Sequence, residues 1–170
     1  ILTTYTEGIP TAVLTADGYT STAFTVNSEL YLTFSETMYY KTGETTKLPL
    51  SHYGTNMLED LFFVEFYNGT DWVSLDDARY NVAATNDSKT VVINSTEANR
   101  WDMAANWHVC VSKSVVDNDN NTVASPYTYP FTVSTSLTPI ITVTVNTTDD
   151  ADDGVANNGT AAVTYYYEKD

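Results

Sequence analysis

The stretch Leu30-Tyr31-Leu32-Thr33-Phe34 decides the fold class of this chain. Leu30, Leu32 and Phe34 alternate with Glu29, Tyr31 and Thr33, so the strand predicted over Glu29 to Ser35 has one apolar face and one polar face. Strand signals of this kind recur about every ten residues between turn-forming residues, and no long window has the apolar period of a helix. The pattern therefore predicts an all-β protein that forms a sandwich or a barrel.

Further strands are predicted on both sides of this stretch. They are Thr11 to Thr15, Ala23 to Val26, Leu61 to Tyr67, Trp72 to Leu75, Asn81 to Ala84, Thr90 to Asn94, Trp107 to Ser112 and Tyr127 to Val133. Residues 39–60 are polar and interrupted by Pro49, which predicts an ordered long loop with one helical turn near Asn56 to Asp60. A second helical turn is predicted within Asn99 to Ala105, and Pro126 and Pro130 indicate that the closing strand lies at a sheet edge.

The two ends of the chain stand apart from this central region. Pro139 to Thr147 and Ala161 to Tyr167 are strong strand signals joined by an acidic loop, which predicts an appended C-terminal β-hairpin. We expect three parts: an N-terminal extension over residues 1–9 that could donate a strand, a sandwich over residues 10–136, and the hairpin over residues 137–170. The hairpin is expected to pack on the sandwich or on a neighbouring subunit.

The charge of the chain excludes one class of partner. Among 170 residues there are 22 acidic and 7 basic side chains, which gives a formal net charge of -15. Nucleic acid is therefore excluded, because phosphate binding needs a basic surface.

No apolar run is long enough to form a membrane-spanning helix, so no membrane-spanning segment is expected. One cysteine excludes an internal disulfide. The first residue is Ile1 rather than Met, and we expect a removed signal peptide or an excised fragment, with an extracellular or cell-surface location.

Five short motifs carry a family resemblance. The segment Leu30 to Met38 resembles the hydrophobic-x-Phe-Ser-Glu-x-Met strand of bacterial Ig-like domains in surface-layer proteins and adhesins. Similar to later parts of those domains are Asp87 to Ile93, Trp107 to Val111, Val116 to Asn121 and Tyr129 to Val133. The resemblance spans residues 10–135 and implies a spacer, lattice or adhesive module without catalysis. The expected fold class is all-β, an Ig-like or jelly-roll-like antiparallel β-sandwich with an appended C-terminal β-hairpin.

Calcium is the ion that suits this acidic sequence, because carboxylate and amide oxygens dominate its polar side chains. Two loops are candidates, and their ligand residues are Asp117, Asp119 and Asn121 in one and Asp149, Asp150, Asp152 and Asp153 in the other. Thr122 and Thr128 replace the glycine and glutamate of an EF-hand loop, which excludes that motif. The first loop could be completed by carbonyl groups or by a remote acid such as Asp87, or it could be a hairpin turn; the second could be a solvated loop.

His108 and Cys110 alternate on one predicted strand and therefore share a face. A metal could use both side chains, but two ligands do not make a site, and His52 is the only other histidine. We expect a half-buried strand face with an inert thiol. Glu36, Glu65 and Asp77 could converge as a glycosidase-like group of carboxylates, although nothing in the sequence singles them out.

Two kinds of surface residue remain. Six Asn-x-Ser/Thr sequons are glycosylation candidates, at Asn68, Asn86, Asn94, Asn120, Asn146 and Asn158. Aromatic side chains could stack on sugar rings or fill the core and subunit contacts, namely Trp72, Trp101, Trp107, Tyr39, Tyr40 and Tyr165 to Tyr167.

These observations predict a secreted structural subunit that assembles with copies of itself into a filament, tube or surface layer by strand addition, helped by calcium. Such strand exchange between copies does not close on itself and propagates as a polymer. The residues expected at the contacts are Ile1, Leu2, Tyr5, Tyr165, Tyr166 and Tyr167. The alternative is an adhesin or carbohydrate-binding module with a cell-surface polysaccharide as its partner. An enzyme is not expected.

Overall fold

The computed structural model of this chain describes residues 8–96, 100–133, 141–146 and 160–165. Contacts divide the chain into two units, Ile1–Thr135 and Ser136–Asp170. The α-helix described, α1 (Thr55–Leu61), has seven residues. In the described ranges no helix combines the length and the apolar character needed to cross a membrane.

The strands are numbered in chain order. They are β1 (Ala12–Ala16), β2 (Leu30–Phe34), β3 (Tyr39–Lys41), β4 (Lys47–Pro49), β5 (Phe62–Tyr67), β6 (Trp72–Ser74), β7 (Tyr80–Ala84), β8 (Thr90–Ser95), β9 (Asn106–Val111), β10 (Val115–Val116), β11 (Thr128–Thr132), β12 (Ile141–Asn146) and β13 (Thr160–Tyr165). Short 3-10 turns lie at Leu50–His52, Asp77–Arg79 and Arg100–Asp102.

The described residues of the first unit form three antiparallel sheets. The two larger sheets have the strand orders β1-β2-β8-β7 and β11-β9-β5-β6, and a small third sheet has the order β10-β3-β4. The two larger orders correspond to the A-B-E-D and G-F-C sheets of an immunoglobulin-like sandwich, with β6 added beside the strand equivalent to C. The predicted all-β sandwich is confirmed. The predicted edge position of the Pro130 strand is confirmed as well, since β11 ends its sheet.

The core lies between the two larger sheets. Leu30, Leu32 and Phe34 of β2 are at most 3% exposed, as their alternation predicts, and they belong to one hydrophobic cluster with residues of β5, β9 and β11. The rings of Phe34 and Phe62 meet across the sandwich with centroids 6.2 Å apart. Burial of this apolar row is what fixes the register of β2, because a shift by one residue would expose it.

Residues 39–60 depart from the predicted long loop. They contain the strands β3 and β4 and the helix α1, which confirms the predicted helical turn near Asn56 to Asp60 and extends it by one residue at each end. The two strands are only three residues long and pair around the polar turn 42–46. Such short strands give no alternation to detect, which is why the sequence pattern missed them.

The predicted strand from Ala23 to Val26 is wrong. In its place Phe24 makes a single parallel bridge to Val133, and its ring packs against Phe131 with centroids 5.1 Å apart. The helical turn predicted within Asn99 to Ala105 is confirmed by the 3-10 turn Arg100–Asp102.

The second unit contains a two-stranded antiparallel sheet of β12 and β13, so the predicted C-terminal hairpin strands are confirmed. Its register pairs Ile141 with Tyr165, Val143 with Val163 and Val145 with Ala161. The intervening pairs are Thr142 with Thr164, Thr144 with Ala162 and Asn146 with Thr160. Because alternate positions of a strand belong to opposite faces, one row of this hairpin is apolar and the other is mostly threonine.

Candidate functional site

A cluster of three chemically reactive side chains lies on the outer face of the sheet formed by β11, β9, β5 and β6. Glu65 of β5 stands directly opposite His108 of β9 in the ladder register. The Oε2 atom of Glu65 and the Nε2 atom of His108 are 2.5 Å apart. The thiol of Cys110 completes the group, and the three ligand atoms all lie within 4.8 Å of one another.

Alternation along β5 and β9 places these residues on the same side of the sheet. Phe62 and Val64 are fully buried in the core, so Glu65 belongs to the opposite face. On β9, the buried Trp107 and Val109 occupy the core face, and His108 therefore lies beside Glu65. The site thus rests on two adjacent central strands of a sheet, which hold their side chains more rigidly than a loop would.

The hairpin from β5 to β6 brings two further side chains to the cluster. The ring of Trp72 stacks on the imidazole of His108, with centroids 3.8 Å apart and an interplanar angle of 16°. The hydroxyl of Ser74 donates a hydrogen bond of 3.4 Å to Oε1 of Glu65. Both partners restrict the cluster, since one fixes the plane of the imidazole and the other holds the carboxylate.

Burial controls the chemistry of Cys110. The residue is only 5% exposed, and its burial, together with the negative charge of Glu65, raises the pKa of the thiol well above its ordinary range. A neutral thiol is a poor nucleophile, which agrees with the expectation of an inert sulfur. Thiol, imidazole and carboxylate are, however, all metal ligands, and among the described residues this is the group of His, Cys, Asp and Glu side chains close enough to hold an ion.

Sequence reasoning placed His108 and Cys110 on one face, and the structure confirms that placement. The sequence pattern did not indicate that Glu65 is a neighbour of His108 and Cys110. The signal that could have found it is the pairing of β5 with β9, because a carboxylate opposite a histidine in adjacent strands is in hydrogen-bond reach. The other two carboxylates considered with Glu65 lie elsewhere: Glu36 is near Asp117 and Asp119, and Asp77 is near Glu59.

The first predicted calcium loop is a tight turn built around Asp117. This residue is fully buried, and its Oδ1 atom accepts hydrogen bonds of 2.8 Å from the backbone N–H groups of Asp119 and Asn121. Its Oδ2 atom accepts a third bond of 2.8 Å from the side-chain amide of Asn121. Both oxygens of Asp117 therefore stabilise the turn, and two of the three predicted ligands are already hydrogen-bonded to each other.

Other charges surround this turn. The ammonium group of Lys47 donates hydrogen bonds to the carbonyl oxygens of Asp117 and Asn118. Burial, followed by the charges of Asp117 and Asp119, raises the pKa of Glu36 above its ordinary range. Asp87, the predicted remote ligand, accepts hydrogen bonds from Thr85 Oγ1 and the backbone of Lys89 at 2.6 and 3.0 Å, so it stabilises its own turn.

Several predicted site residues lie outside the described part of the chain. These are Asp149, Asp150, Asp152 and Asp153 of the second calcium loop and Ile1, Leu2, Tyr5, Tyr166 and Tyr167 of the assembly contacts. Tyr165 is the last residue of β13. Calcium binding and the assembly contacts therefore stay predictions.

The glycosylation candidates are spread over turns and strands. Asn68, Asn86 and Asn120 are exposed, and the side-chain oxygen of Asn68 accepts two hydrogen bonds within the turn between β5 and β6. Asn94 is half-buried in β8, and Asn146 ends β12. Asn158 lies outside the described residues.

Comparison of the chain with models of known protein families, with curated proteins and with solved structures finds no match.

Proposed function

We propose that this chain is an extracellular structural subunit that assembles with copies of itself into a filament, tube or surface layer by strand addition. The observation that carries the proposal is the two-stranded sheet of β12 and β13. It pairs with no other described strand, and its register aligns one apolar row from Ile141 and Tyr165 to Val145 and Ala161. The bacterial Ig-like resemblance of residues 10–135 agrees with such a role.

The physics of a hairpin supports an intermolecular partner. A lone two-stranded sheet is only marginally stable in water, and it becomes stable when a third strand is added or when its apolar face is covered. Among the described strands, β12 and β13 pair only with each other, so each has a free edge of the kind that recruits another chain. The occupant we propose is the sandwich of a second copy, whose sheets end in the outer strands β1, β7, β11 and β6.

Calcium would act on the charge of the assembled chains. A net charge of -15 on each copy opposes close approach of the next one. A divalent cation bound between acidic loops removes part of this repulsion, and the Asp149 to Asp153 cluster and the exposed Asp119 would supply oxygen ligands. We therefore expect calcium to favour the polymer over the monomer.

Paired variants in β12 test the proposal. Val143→Lys places a charge in the apolar row, whereas Thr142→Lys places the same charge at the neighbouring position in the threonine row. The wild type and Thr142→Lys are expected to form polymers in the presence of calcium, measured by size-exclusion chromatography with light scattering and by electron microscopy. Val143→Lys is expected to stay monomeric, and EDTA is expected to dissolve the wild-type polymer.

Deletion of residues 1–6 separates the two predicted donors. If the deleted chain still assembles, the N-terminal segment is not required and the hairpin is the contact. A wild-type chain that stays monomeric with and without calcium at high concentration would refute assembly itself.

A second candidate is a carbohydrate-binding module, favoured by an exposed aromatic pair. Tyr67 and Trp72 are 36% and 44% exposed at the ends of β5 and β6, with ring centroids 5.5 Å apart. Adjacent exposed rings are suited to stacking on sugars, because such contacts bury apolar faces of both partners. Retention of the wild type on insoluble polysaccharide, together with loss of retention in Trp72→Ala, would support this function over assembly.

A further inference from the structure

We propose that Glu65, His108 and Cys110 form a zinc-binding site on the outer face of the sandwich. Three different ligand types converge at this site, and none of them belongs to the segments expected to mediate assembly. Glu65 and His108 are direct cross-strand neighbours, and Cys110 lies two residues further along β9. Their ligand atoms are all within 4.8 Å of one another.

The geometry requires only small side-chain movements. Zinc binds nitrogen and oxygen at about 2.0 to 2.2 Å and sulfur at about 2.3 Å, so ligand atoms around a tetrahedral ion are about 3.3 to 3.8 Å apart. The Nε2 and Oε2 atoms, now 2.5 Å apart, would separate by about 1 Å as the ion replaces their hydrogen bond. The backbone ladder between β5 and β9 need not change.

The ligand set selects the class of metal. Zinc accepts cysteine sulfur, imidazole nitrogen and carboxylate oxygen together, and a site with three protein ligands keeps its fourth position for water. Calcium and magnesium prefer oxygen ligands and gain nothing from a thiol. On binding, the Cys110 S–H bond breaks, its proton leaves to solvent, and the sulfur donates an electron pair to the ion.

Neighbouring residues favour a defined site over an accidental contact. The stack of Trp72 on His108 restricts the rotation of the imidazole, and the Ser74 hydroxyl donates a hydrogen bond to Oε1 of Glu65, the carboxylate oxygen that does not contact His108 Nε2. Cys110 is nearly buried, while the side chains of His108 and Glu65 are 12% and 23% exposed. The sulfur is thus shielded from water, and the ion would enter from the side of Glu65.

Metal titration of the full chain tests the site. After EDTA treatment and dialysis, ZnCl₂ is added in a calorimeter and CoCl₂ in a spectrophotometer, both with excess CaCl₂ so that oxygen-only sites are already occupied. We expect one zinc ion per chain and a thiolate-to-cobalt charge-transfer band in the near ultraviolet. Cobalt should also quench the fluorescence of Trp72, because the ring stacked on His108 lies beside the ion.

Variants assign the ligands. Cys110→Ser should abolish the cobalt band, and His108→Gln and Glu65→Gln should each weaken zinc binding at least about tenfold. His52→Gln, at an exposed histidine elsewhere in the chain, is the matched control and should bind as the wild type does. Circular dichroism checks that each variant is folded. The proposal is overturned if the wild type gives no thiolate band, or if Cys110→Ser binds zinc with wild-type affinity.

Discussion

The indole N–H of Trp101 donates a hydrogen bond of 2.8 Å to the carbonyl oxygen of Ser28, which lies 73 residues earlier in the chain. Trp101 is fully buried, and Ser28 is 2% exposed. The indole also packs edge-on against Trp107 and Phe131, with ring centroids 5.3 and 5.8 Å away. This one side chain therefore connects the segment before β2 to the aromatic core of the opposite sheet.

Trp101→Phe is expected to lower the free energy of unfolding by about 2 to 4 kcal/mol, because it leaves a buried carbonyl without its donor and removes core volume. Urea unfolding followed by circular dichroism measures the change. Trp72→Phe is the matched control, since Trp72 is 44% exposed and phenylalanine still stacks on His108. Its cost should stay below about 1 kcal/mol, and equal costs for the two variants would contradict this account.

Asp117→Ala is expected to cost about 2 to 4 kcal/mol, because the three hydrogen bonds that its carboxylate accepts from Asp119 and Asn121 are lost together. Asp119→Ala removes an exposed carboxylate two residues away and should change stability by less than about 0.5 kcal/mol. Thermal unfolding without calcium compares the two. If Asp119→Ala proves the more costly change, the turn is not held by Asp117.

Gly69→Ala is expected to destabilise the hairpin that positions Trp72. Gly69 has a φ of +100°, a conformation that side chains disfavour, yet an added Cβ would meet no atom within 4 Å. The cost, about 1 to 2 kcal/mol, is therefore backbone strain alone. Gly43→Ala is the control, because a Cβ at Gly43 would also meet no atom within 4 Å, while the φ of Gly43 lies outside the range from +20° to +160°. Urea unfolding should show a loss only for the Gly69 variant.

Ionisation of the buried Tyr80 is expected to lower the stability of the folded protein at alkaline pH. Burial raises the pKa of Tyr80 to about 12, whereas a tyrosine in the unfolded chain ionises near pH 10. Between these values the unfolded chain has lost a proton that the folded chain keeps, so the stability contributed by neutral Tyr80 is complete below pH 10 and falls as the pH rises to about 12.

Comparison of the wild type with Tyr80→Phe isolates this contribution. Between pH 10 and pH 12 the wild type should lose roughly 1 to 3 kcal/mol more than the variant, since phenylalanine cannot ionise. Parallel urea curves at several pH values measure both proteins; superimposable profiles for the wild type and Tyr80→Phe would contradict the prediction.

The sequence allowed the sandwich to be predicted because its long strands bury one face each. Leu30, Leu32 and Phe34 show that signal clearly, and the core contains all three. The small sheet of β3, β4 and β10 gave no such signal, since strands of two or three residues show no period. Ala23 to Val26 has the composition of a strand, but Phe24 alone of these residues forms a β-bridge, to Val133. The ring of Phe24 also packs against Phe131.

The candidate metal site was only half predictable for a similar reason. His108 and Cys110 are two residues apart, so local alternation alone places them together. Glu65 is 43 residues from His108, and only the pairing of β5 with β9 brings them into contact. In the first predicted calcium loop, the residue spacing indicated three ligands. In the structure, the Asp117 carboxylate of that loop accepts hydrogen bonds from the backbone of its own tight turn.

Cys110 is the single cysteine of the chain, and it is buried in a central strand of its sheet. A thiol-specific reagent reaches such a sulfur only after the strands around it separate. The rate of labelling by an excess of reagent therefore measures how often this sheet opens, without any engineered probe. The labelling rate of Cys110 thus reports local unfolding of this sheet, and mass spectrometry can follow it in a monomer and in a polymer alike.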